Sequence, residues 1–558
     1  LTRLHTRASK WHEHNGYATE AIDHALKAKD FERGAGLIEA NIDTTFMRGE
    51  IPTALRWLEA LPEDLVCSKP RLCLNSAWAL MLTGHSIREI ETQLEKIQAQ
   101  DDSIVGGKAA LQSFISMIQI RIAATTEFSQ QALQLLPEDE TFMRGIANWA
   151  LNMAQLAGGD DETWHQMVEE ILKTSLEIGN VMIAVWALNQ LARLHIHQGQ
   201  LHQAERTYRR ALELSSEPGN QRKPIAGIAL IGLGKLHYEW NDLETARQYL
   251  EEGIENSKRW REISGLEGYA SLARLMASLG DYERADAAIQ AAKQLAVRFD
   301  TAEWDDYYVE LCQARLWVTQ GNFNAATAWF KAQETSGQVN VNDSPGLDLD
   351  YRDHLRKYRY MPYAYALILQ DQPAEALELL EPLLQEMKRQ RRIDFMIEIQ
   401  TLRALAYYTN EDVKNALDAL KNALSLAQPG GYVRVFIDKG ESMHKLIQQV
   451  EPEAITESYI RDLLAAFDKV SVHPEPGRKE ALQRSQATRQ SYELVDPLSE
   501  REIEVLHLLQ TNLSSPEIAN ELVIAVSTVR THIKNIYSKL GVHSRTQAVD
   551  EAKDLGLL

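Results

Sequence analysis

Cysteine is scarce in this sequence, with three residues among 558: Cys67, Cys73 and Cys312. Three cysteines are too few for a disulfide framework, and they lack the spacing of zinc ligands. The sequence also lacks a signal peptide and any apolar run of about 18 residues that could cross a membrane. These absences predict free thiols, a reducing cytoplasm as the location, and no membrane partner.

Catalytic motifs are missing as well. The sequence has no GxSxG segment, no Cys and His pair in a recognisable context, and no phosphate loop of the form GxxxxGK[ST]. The nearest approach to that loop, around Gly106 and Lys108, lacks its first glycine and its hydroxyl residue. We therefore expect no catalytic residue, no metal ligand and no cofactor in the chain as given, and an enzyme is the least supported function.

The charge balance is strongly acidic, with a formal net charge of −20, while 44% of the residues are hydrophobic. Such a chain can fold, but it does not coat nucleic acid along its whole length. A local reader of DNA is still compatible with this charge. A length of 558 residues exceeds what one hydrophobic core supports, so we expect several domains or a continuous array.

A repeated helical pattern occupies residues 1–428. A turn containing Gly or Asn is followed by an apolar residue, by Ala three positions later, and by a large apolar residue four further on. The clearest copies place this Ala and large residue at Ala204/Tyr208, Ala246/Leu250, Ala285/Ile289, Ala326/Phe330, Ala376/Leu380 and Ala416/Leu420. Small residues let two helices cross closely and large residues fill the groove beside them. The pattern predicts tetratricopeptide-like helix pairs that stack into a superhelix.

The superhelix allows more than one function. Its concave surface could hold a peptide or protein, its coil could enclose a small molecule, or it could be a passive spacer. An aromatic segment with Trp304, Tyr307 and Tyr308 could stack on a sugar or nucleotide effector. The alternative for these three side chains is ordinary packing between helices.

The last sixty or so residues, starting at Pro497, predict four short helices. Ser499 is placed to cap the first helix, with Glu502 as its capping-box partner. Ser515 and Pro516 open the second. The third runs from about Val526 to Leu540, before Gly541, and the fourth starts near Ser544.

The third of these helices has two different faces. Val529, Ile533, Ile536, Tyr537 and Leu540 lie at helical spacing and should face a small core. Ser527, Arg530, Thr531 and Lys534 lie on the opposite face, and no acidic residue occurs between Val526 and Leu540. A helix–turn–helix module anchors its second helix on one side and presents donors to the major groove on the other. A solvated basic face on a small bundle is the alternative.

The segments LSEREIEVLHLL, SSPEIANEL and STVRTHIKNIYSKLGVHSRTQAV resemble, in order and spacing, the DNA-binding domain of LuxR-type transcription regulators. The resemblance implies that Arg530, Thr531 and Lys534, with Ser527 on the same face, read base edges. It implies that Thr528, His532, Lys539 and Arg545 touch phosphates or hold the helix against the DNA backbone. One departure is Ala525, where the family often has Ser or Thr as the helix cap. Loss of that cap costs roughly 1 kcal/mol, and Ser527 could cap the helix instead and start it later.

The segment PGGYVRVFIDKG resembles the region that lies between the repeats and the DNA-binding domain in the large MalT-like regulators. Its matching residues are Gly431, Tyr432, Arg434, Phe436, Asp438 and Gly440. The start of the chain resembles the region that follows the ATP-binding module of those regulators. The chain begins with Leu, so we expect an upstream part to be missing, with ATP as a cofactor only if that module exists.

Together these features predict an all-α fold, a tetratricopeptide-like superhelix followed by a small four-helix LuxR-type domain. We expect a repeat domain over 1–428, a closing helical segment over 429–472, a linker over 473–496 and the DNA-binding domain over 497–558. The predicted function is a sequence-specific DNA-binding transcription regulator, an activator, that lies on the bacterial nucleoid when bound to DNA. Its expected partners are double-stranded DNA, further copies of itself, a small-molecule or protein effector and RNA polymerase. The alternative is a protein-interaction scaffold whose C-terminal module does not bind DNA.

Overall fold

The computed structural model describes most of the chain in two compact units, Leu1–Pro474 and Glu475–Leu558. The described residues of the first unit are 1–97, 101–119, 121–156, 161–216, 222–260, 264–299, 303–335, 349–451 and 457–470. Those of the second unit are 500–510, 513, 518–519, 522, 526–540, 545, 548–549 and 552.

The first unit is built from helices. They are α1 (Thr2–His14), α2 (Ala18–Lys27), α3 (Phe31–Met47), α4 (Ile51–Glu59), α5 (Glu63–Ser68), α6 (Pro70–Leu82), α7 (Ile87–Glu95), α8 (Asp102–Ile118), α9 (Ile122–Leu135), α10 (Thr141–Leu156), α11 (Asp161–Glu177), α12 (Val181–His197), α13 (Leu201–Leu214), α14 (Ala226–Glu239), α15 (Leu243–Trp260), α16 (Gly265–Ser278), α17 (Tyr282–Phe299), α18 (Glu303–Thr319), α19 (Phe323–Thr335), α20 (Leu349–Leu369), α21 (Pro373–Arg389), α22 (Ile393–Thr409), α23 (Val413–Ala427), α24 (Arg434–Ile437), α25 (Gly440–Ile447) and α26 (Glu457–Val470). Within the described residues no strand is formed, although Ser216 and Arg222 make an isolated antiparallel bridge.

The predicted helix pairs are confirmed from α12 to α23. Each pair is joined by a tight turn whose residue takes a positive φ, from 61° at Glu411 to 79° at Gly321. The six alanines of the repeat pattern, from Ala204 to Ala416, are fully buried, and the six large apolar partners are at most 2% exposed. The Ala positions therefore bring adjacent helices close together, and the large residues fill the space beside them.

Close approach between helices is also achieved with glycine. Gly232 on α14 faces the ring of Tyr208 on α13, and a Cβ built on Gly232 would lie 2.3 Å from that ring. Tyr208 is 2% exposed and cannot move into solvent. The bare glycine therefore sets the packing distance between these two helices.

Replacing Gly232 with Ala is expected to destabilise the first unit by about 1–3 kcal/mol, because the added methyl overpacks a closed core. Gly36→Ala on α3 is the matched control, since a Cβ there meets no atom within 4 Å. That change should be neutral or stabilise by about 0.5–1 kcal/mol through higher helix propensity. Thermal unfolding of the two variants measures both effects. Equal melting temperatures would show that the helix contact at Gly232 is not tight.

The segment after the repeats packs back on them. A short 3-10 turn, Gln428–Gly430, precedes α24. The Trp240 indole donates a hydrogen bond to the Gly430 carbonyl (2.9 Å), and the Val433 amide donates to the Glu239 carbonyl (2.9 Å). Both partners lie at the end of α14, about two hundred residues earlier in the chain. This segment therefore fastens the last repeats to the middle of the array.

The second unit contains the helices Glu500–Leu509 and Val526–Leu540 and has its own core. The fully buried side chains come from four parts of the sequence, as the four predicted helices require: Val505, Leu506, Ile518, Val529, Ile536, Ala548 and Ala552. In the part of the chain that the structure describes, no helix is long and apolar enough to span a bilayer.

Candidate nucleic-acid interface

The helix Val526–Leu540, here called the candidate recognition helix, has the bounds that the sequence predicts. It starts at Val526, so Ser527 lies in its first turn. The later start that would follow from capping by Ser527 is therefore wrong. Ala525, in the usual cap position, lies outside the described residues, as does Ser499, the predicted cap of the preceding helix.

One side of the candidate recognition helix packs against the core of the second unit. Val529 and Ile536 are fully buried, and Ile533 and Tyr537 are partly buried against the same cluster. These four positions follow the predicted apolar stripe. Their side chains are spaced one or two turns apart, and their burial holds the helix against the core. The orientation of the helix about its own axis is thereby set.

The opposite side of this helix faces outward where it is described. Thr528, Thr531 and Asn535 are exposed, and they lie three and four residues apart on one helical face. Ser527, Arg530 and Lys534 belong to the helix by their backbone, but their side chains lie outside the described residues. The structure thus describes Thr531 alone among the four predicted base-contacting side chains.

Lys539 has an internal partner that the sequence pattern does not reveal. Its ammonium Nζ lies 2.9 Å from Oε2 of Glu502, a carboxylate whose side chain is 5% exposed. The pair joins the candidate recognition helix to the helix Glu500–Leu509. Glu502 is therefore a buried ion-pair partner of this helix, a role that the capping-box pattern does not indicate. Its spacing of 37 residues from Lys539 gives no local signal.

Arg545 also acts inside the second unit. Its guanidinium donates from Nε to the Leu509 carbonyl (2.9 Å) and from Nη1 to the Leu513 carbonyl (2.5 Å). Carbonyls at a helix end have no partner within the helix, and a cation is favourable there. His532 is half-buried, and its Nδ1 has no hydrogen-bond partner among the described residues.

Two of the aromatic effector candidates, Tyr307 and Tyr308, pack against different core clusters. The Tyr307 ring lies 5.7 Å from the Trp329 ring and packs on the main core of the first unit. Tyr308 packs against a second core cluster, which includes Val309 and Leu316. The side chain of Trp304 lies outside the described residues. Tyr307 and Tyr308 thus pack between helices on two different sides of α18.

Comparison with known families follows the same division of the chain. The family described as "MalT-like TPR region" matches residues 106–453, which is more than half of the 558 residues. The chain belongs to the MalT-like family. Within this MalT-like chain, residues 496–552 match the family described as "Bacterial regulatory proteins, luxR family". This second match includes the whole candidate recognition helix.

Curated relatives align with the whole MalT-like chain. The HTH-type transcriptional regulators MalT of Serratia proteamaculans (strain 568) and of Yersinia pestis (strain Pestoides F) are each 26% identical over 585 residues. Each alignment covers 100% of this chain and 62% of the relative. The MalT-like chain therefore spans about three fifths of the length of these relatives.

Solved structures of other helical repeats give weaker matches. The human IFIT1 dimer with PPP-AAAA is 14% identical, with a TM-score of 0.31, and covers 76% of this chain and 91% of its own. Yeast Tom70 is 12% identical, with a TM-score of 0.27, and covers 86% of this chain and 99% of its own. Scores this low carry no argument about function.

Proposed function

We propose that this MalT-like chain is a sequence-specific DNA-binding transcription regulator of the bacterial cytoplasm, an activator whose repeat superhelix senses an effector. The observation that carries the proposal is the candidate recognition helix. Its apolar side is held in a separate small core, and its described opposite side is exposed. A helix of 15 residues with that division fits a major groove, which is wide enough for one α-helix.

The proposal gives each predicted residue a role. Arg530 and Lys534 would donate to base edges, with Thr531 and Ser527 beside them on the same face. Thr528 and His532 would contact phosphates, which set the position of a protein on the duplex without reading sequence. Lys539 and Arg545 would hold the helix in place from inside the second unit, because they contact the Glu502 carboxylate and the Leu509 carbonyl of that unit.

The remaining partners follow from the resemblance and the charge balance. Because the whole chain has a net charge of −20, one copy should bind DNA weakly, and a dimer or higher assembly should bind specifically. The repeat domain over 1–428, closed by 429–472, would receive a small-molecule or protein effector. The linker over 473–496 would connect it to the DNA-binding domain over 497–558, which would place RNA polymerase within reach of the promoter. ATP would act only through an upstream module.

The test is DNA binding by the chain at a series of salt concentrations. A regulator that neutralises phosphates shows an apparent association constant that falls linearly with salt on a log–log plot, by a slope of about −0.9 per phosphate contacted. Fluorescence anisotropy with promoter fragments from the host genome measures that slope, and a scrambled duplex measures the specificity ratio. A flat, weak response on every duplex, even for chains joined into dimers, would favour a protein-interaction scaffold instead.

A further inference from the structure

Six helices of the first unit form a closed ring, here called the inner ring. Its members are the first helices of successive repeats: α12, α14, α16, α18, α20 and α22. Each contacts the next one in this order, and α22 contacts α12. The turn at Gly199, after α12, reaches Ile393 at the start of α22, where a Cβ on Gly199 would lie 2.8 Å from Cγ2 of Ile393. The six helices therefore close one turn of the superhelix, and they share an inner side.

Four consecutive helices of this ring carry a cation at one equivalent position. In each repeat the position lies six residues before the left-handed turn residue, and the pairs are Arg193 with Gly199, Lys235 with Asn241, Arg274 with Gly280, and Arg315 with Gly321. Equivalent positions on neighbouring helices of a repeat array point in the same direction relative to the array. The four cations thus form one band along four of the six helices of the inner ring.

Ion pairs across the ring show that this band faces inward. Arg193 on α12 lies 3.9 Å from Glu267 on α16, and the Lys235 ammonium is paired with the same carboxylate. The pair between Arg193 and Glu267 passes over α14. The shortest path from a helix to the second one along a ring lies on the inner side of that ring.

A second pair repeats this geometry on the other half of the ring. Arg315 on α18 lies 3.0 Å from Glu398 on α22, passing over α20. At the fifth equivalent position, Tyr365 on α20 carries no charge, but Lys439 supplies one: its ammonium lies 4.4 Å from the Tyr365 ring centroid and 4.0 Å from Glu398. Lys439 comes from the segment that follows the repeats, so this segment completes the band.

Water reaches these side chains although protein surrounds them. The exposed fractions are 43% for Arg274, 39% for Arg193 and 38% for Lys235. Surrounding protein atoms by themselves would lower the pKa of Arg274, and Glu239, Tyr238 and Asp438 raise it well above its ordinary value. Side chains that are accessible to solvent and also surrounded by many protein atoms line a recess, not an open surface.

The band holds more positive than negative charge. Its ion-paired groups are six basic side chains (Arg193, Lys235, Arg274, Arg315, Arg434 and Lys439) and four acidic ones (Glu239, Glu267, Glu398 and Asp438). Burial by itself would raise the pKa of Glu267, but Lys235 and Arg193 outweigh it and lower that pKa to about 2. Burial also opposes ionisation of Glu398 and Asp438, but neighbouring cations lower both pKa values, so these three carboxylates stay ionised near neutral pH. Burial lowers the pKa of Lys439 as well. Counted by side chains, the band has two more basic groups than acidic ones. This excess stands out in a chain whose net charge is −20.

We propose that the inner ring binds a small organic anion carrying a phosphate or carboxylate group, held by Lys235, Arg274 and Arg315. Guanidinium groups bind such anions through two parallel hydrogen bonds, and these charge-assisted bonds strengthen away from bulk water. A bound dianion would balance the excess of basic side chains and would touch three helices together, α14, α16 and α18. The identification of this anion as the effector rests on the proposed function, whereas its binding does not.

The experiment is isothermal titration of the chain, without DNA, with glucose 6-phosphate, inorganic phosphate and succinate, and with glucose as the uncharged counterpart. At least one of the three anions should bind to a single site, and glucose should not. Lys235→Gln should weaken that binding at least about tenfold, as expected for the loss of one charge-assisted hydrogen bond. Glu267→Gln should tighten it, because it adds one net positive charge to the band.

Arg209→Gln is the matched control. Arg209 lies on α13, half-exposed, and forms an ion pair with Glu205 one turn away on the same helix. The anion should bind this variant with the affinity of the unchanged chain. Absence of binding by all three anions, or equal weakening by Lys235→Gln and Arg209→Gln, would overturn the proposal. Because DNA is absent from the titration, this result is independent of whether the chain binds a promoter.

Discussion

Replacing Arg530 and Lys534 together with Ala is expected to abolish specific promoter binding, with a loss in affinity of about a hundredfold or more. Each well-placed contact from such a side chain to a base contributes about 1–3 kcal/mol of discrimination, and every 1.4 kcal/mol is a factor of ten. Removing two cations should also make the salt dependence of binding shallower by nearly two phosphate equivalents. Fluorescence anisotropy at several salt concentrations measures both quantities.

The matched control for this double variant is Arg206→Ala with Arg210→Ala. These two residues are exposed on α13 and have the same i, i+4 spacing as Arg530 and Lys534. The control removes the same charge from the chain, so a general electrostatic effect would appear equally in both variants. We expect promoter affinity to change less than about twofold in the control. Retained specific binding in the Arg530/Lys534 variant would refute the assignment of the recognition helix.

Replacing Lys539 with Ala is expected to destabilise the second unit by about 3–5 kcal/mol, because it removes the cation that pairs with the buried carboxylate of Glu502. Glu502 lies on the first helix of this unit, and its side chain is 5% exposed. A small domain has a total stability of about 5–15 kcal/mol, so the loss would leave the candidate recognition helix poorly held. Hydrogen exchange of peptides that cover residues 526–540 measures the local stability, and promoter affinity should fall with it.

Two further variants separate the ion pair from other effects of substitution. Glu502→Leu combined with Lys539→Met removes both charges and should recover most of the lost stability, because apolar groups of similar volume tolerate burial. Glu504→Ala removes an exposed partner of Arg501 on the same helix and should cost less than about 1 kcal/mol. Faster exchange in the Glu504 variant than in the Lys539 variant would contradict a stabilising role for the buried pair.

The sequence predicts the repeat fold well because its signal is local and periodic. Ala204 and Tyr208 lie four residues apart on one helix, and each later copy of this spacing places its two residues in the core. Packing between neighbouring helices depends on the residue sizes within one repeat, and those sizes are visible in a short window. The same reasoning predicts the helix Val526–Leu540 and its apolar side from Val529 and Ile536.

Site residues are harder to predict when their partners are distant in sequence. Lys539 and Arg545 resemble surface cations by their neighbours, yet Glu502 and two backbone carbonyls engage them inside the unit. Tyr307 and Tyr308 resemble a stacking platform in the sequence, yet in the structure these neighbours on α18 pack against two different core clusters. The side-chain sizes and charges alone do not distinguish these cases, because the deciding partner comes from another helix.

The sequence by itself determined the helical class, the repeat, the family and the face of the helix Val526–Leu540 that stays out of the core, since each depends on spacing within about one repeat. Tertiary structure alone decided which charges meet. Arg193 and Glu267 are paired across the inner ring, as are Arg315 and Glu398, although more than seventy residues separate the members of each pair. The curvature that closes α22 onto α12 accumulates from small rotations between repeats, and no single repeat contains it.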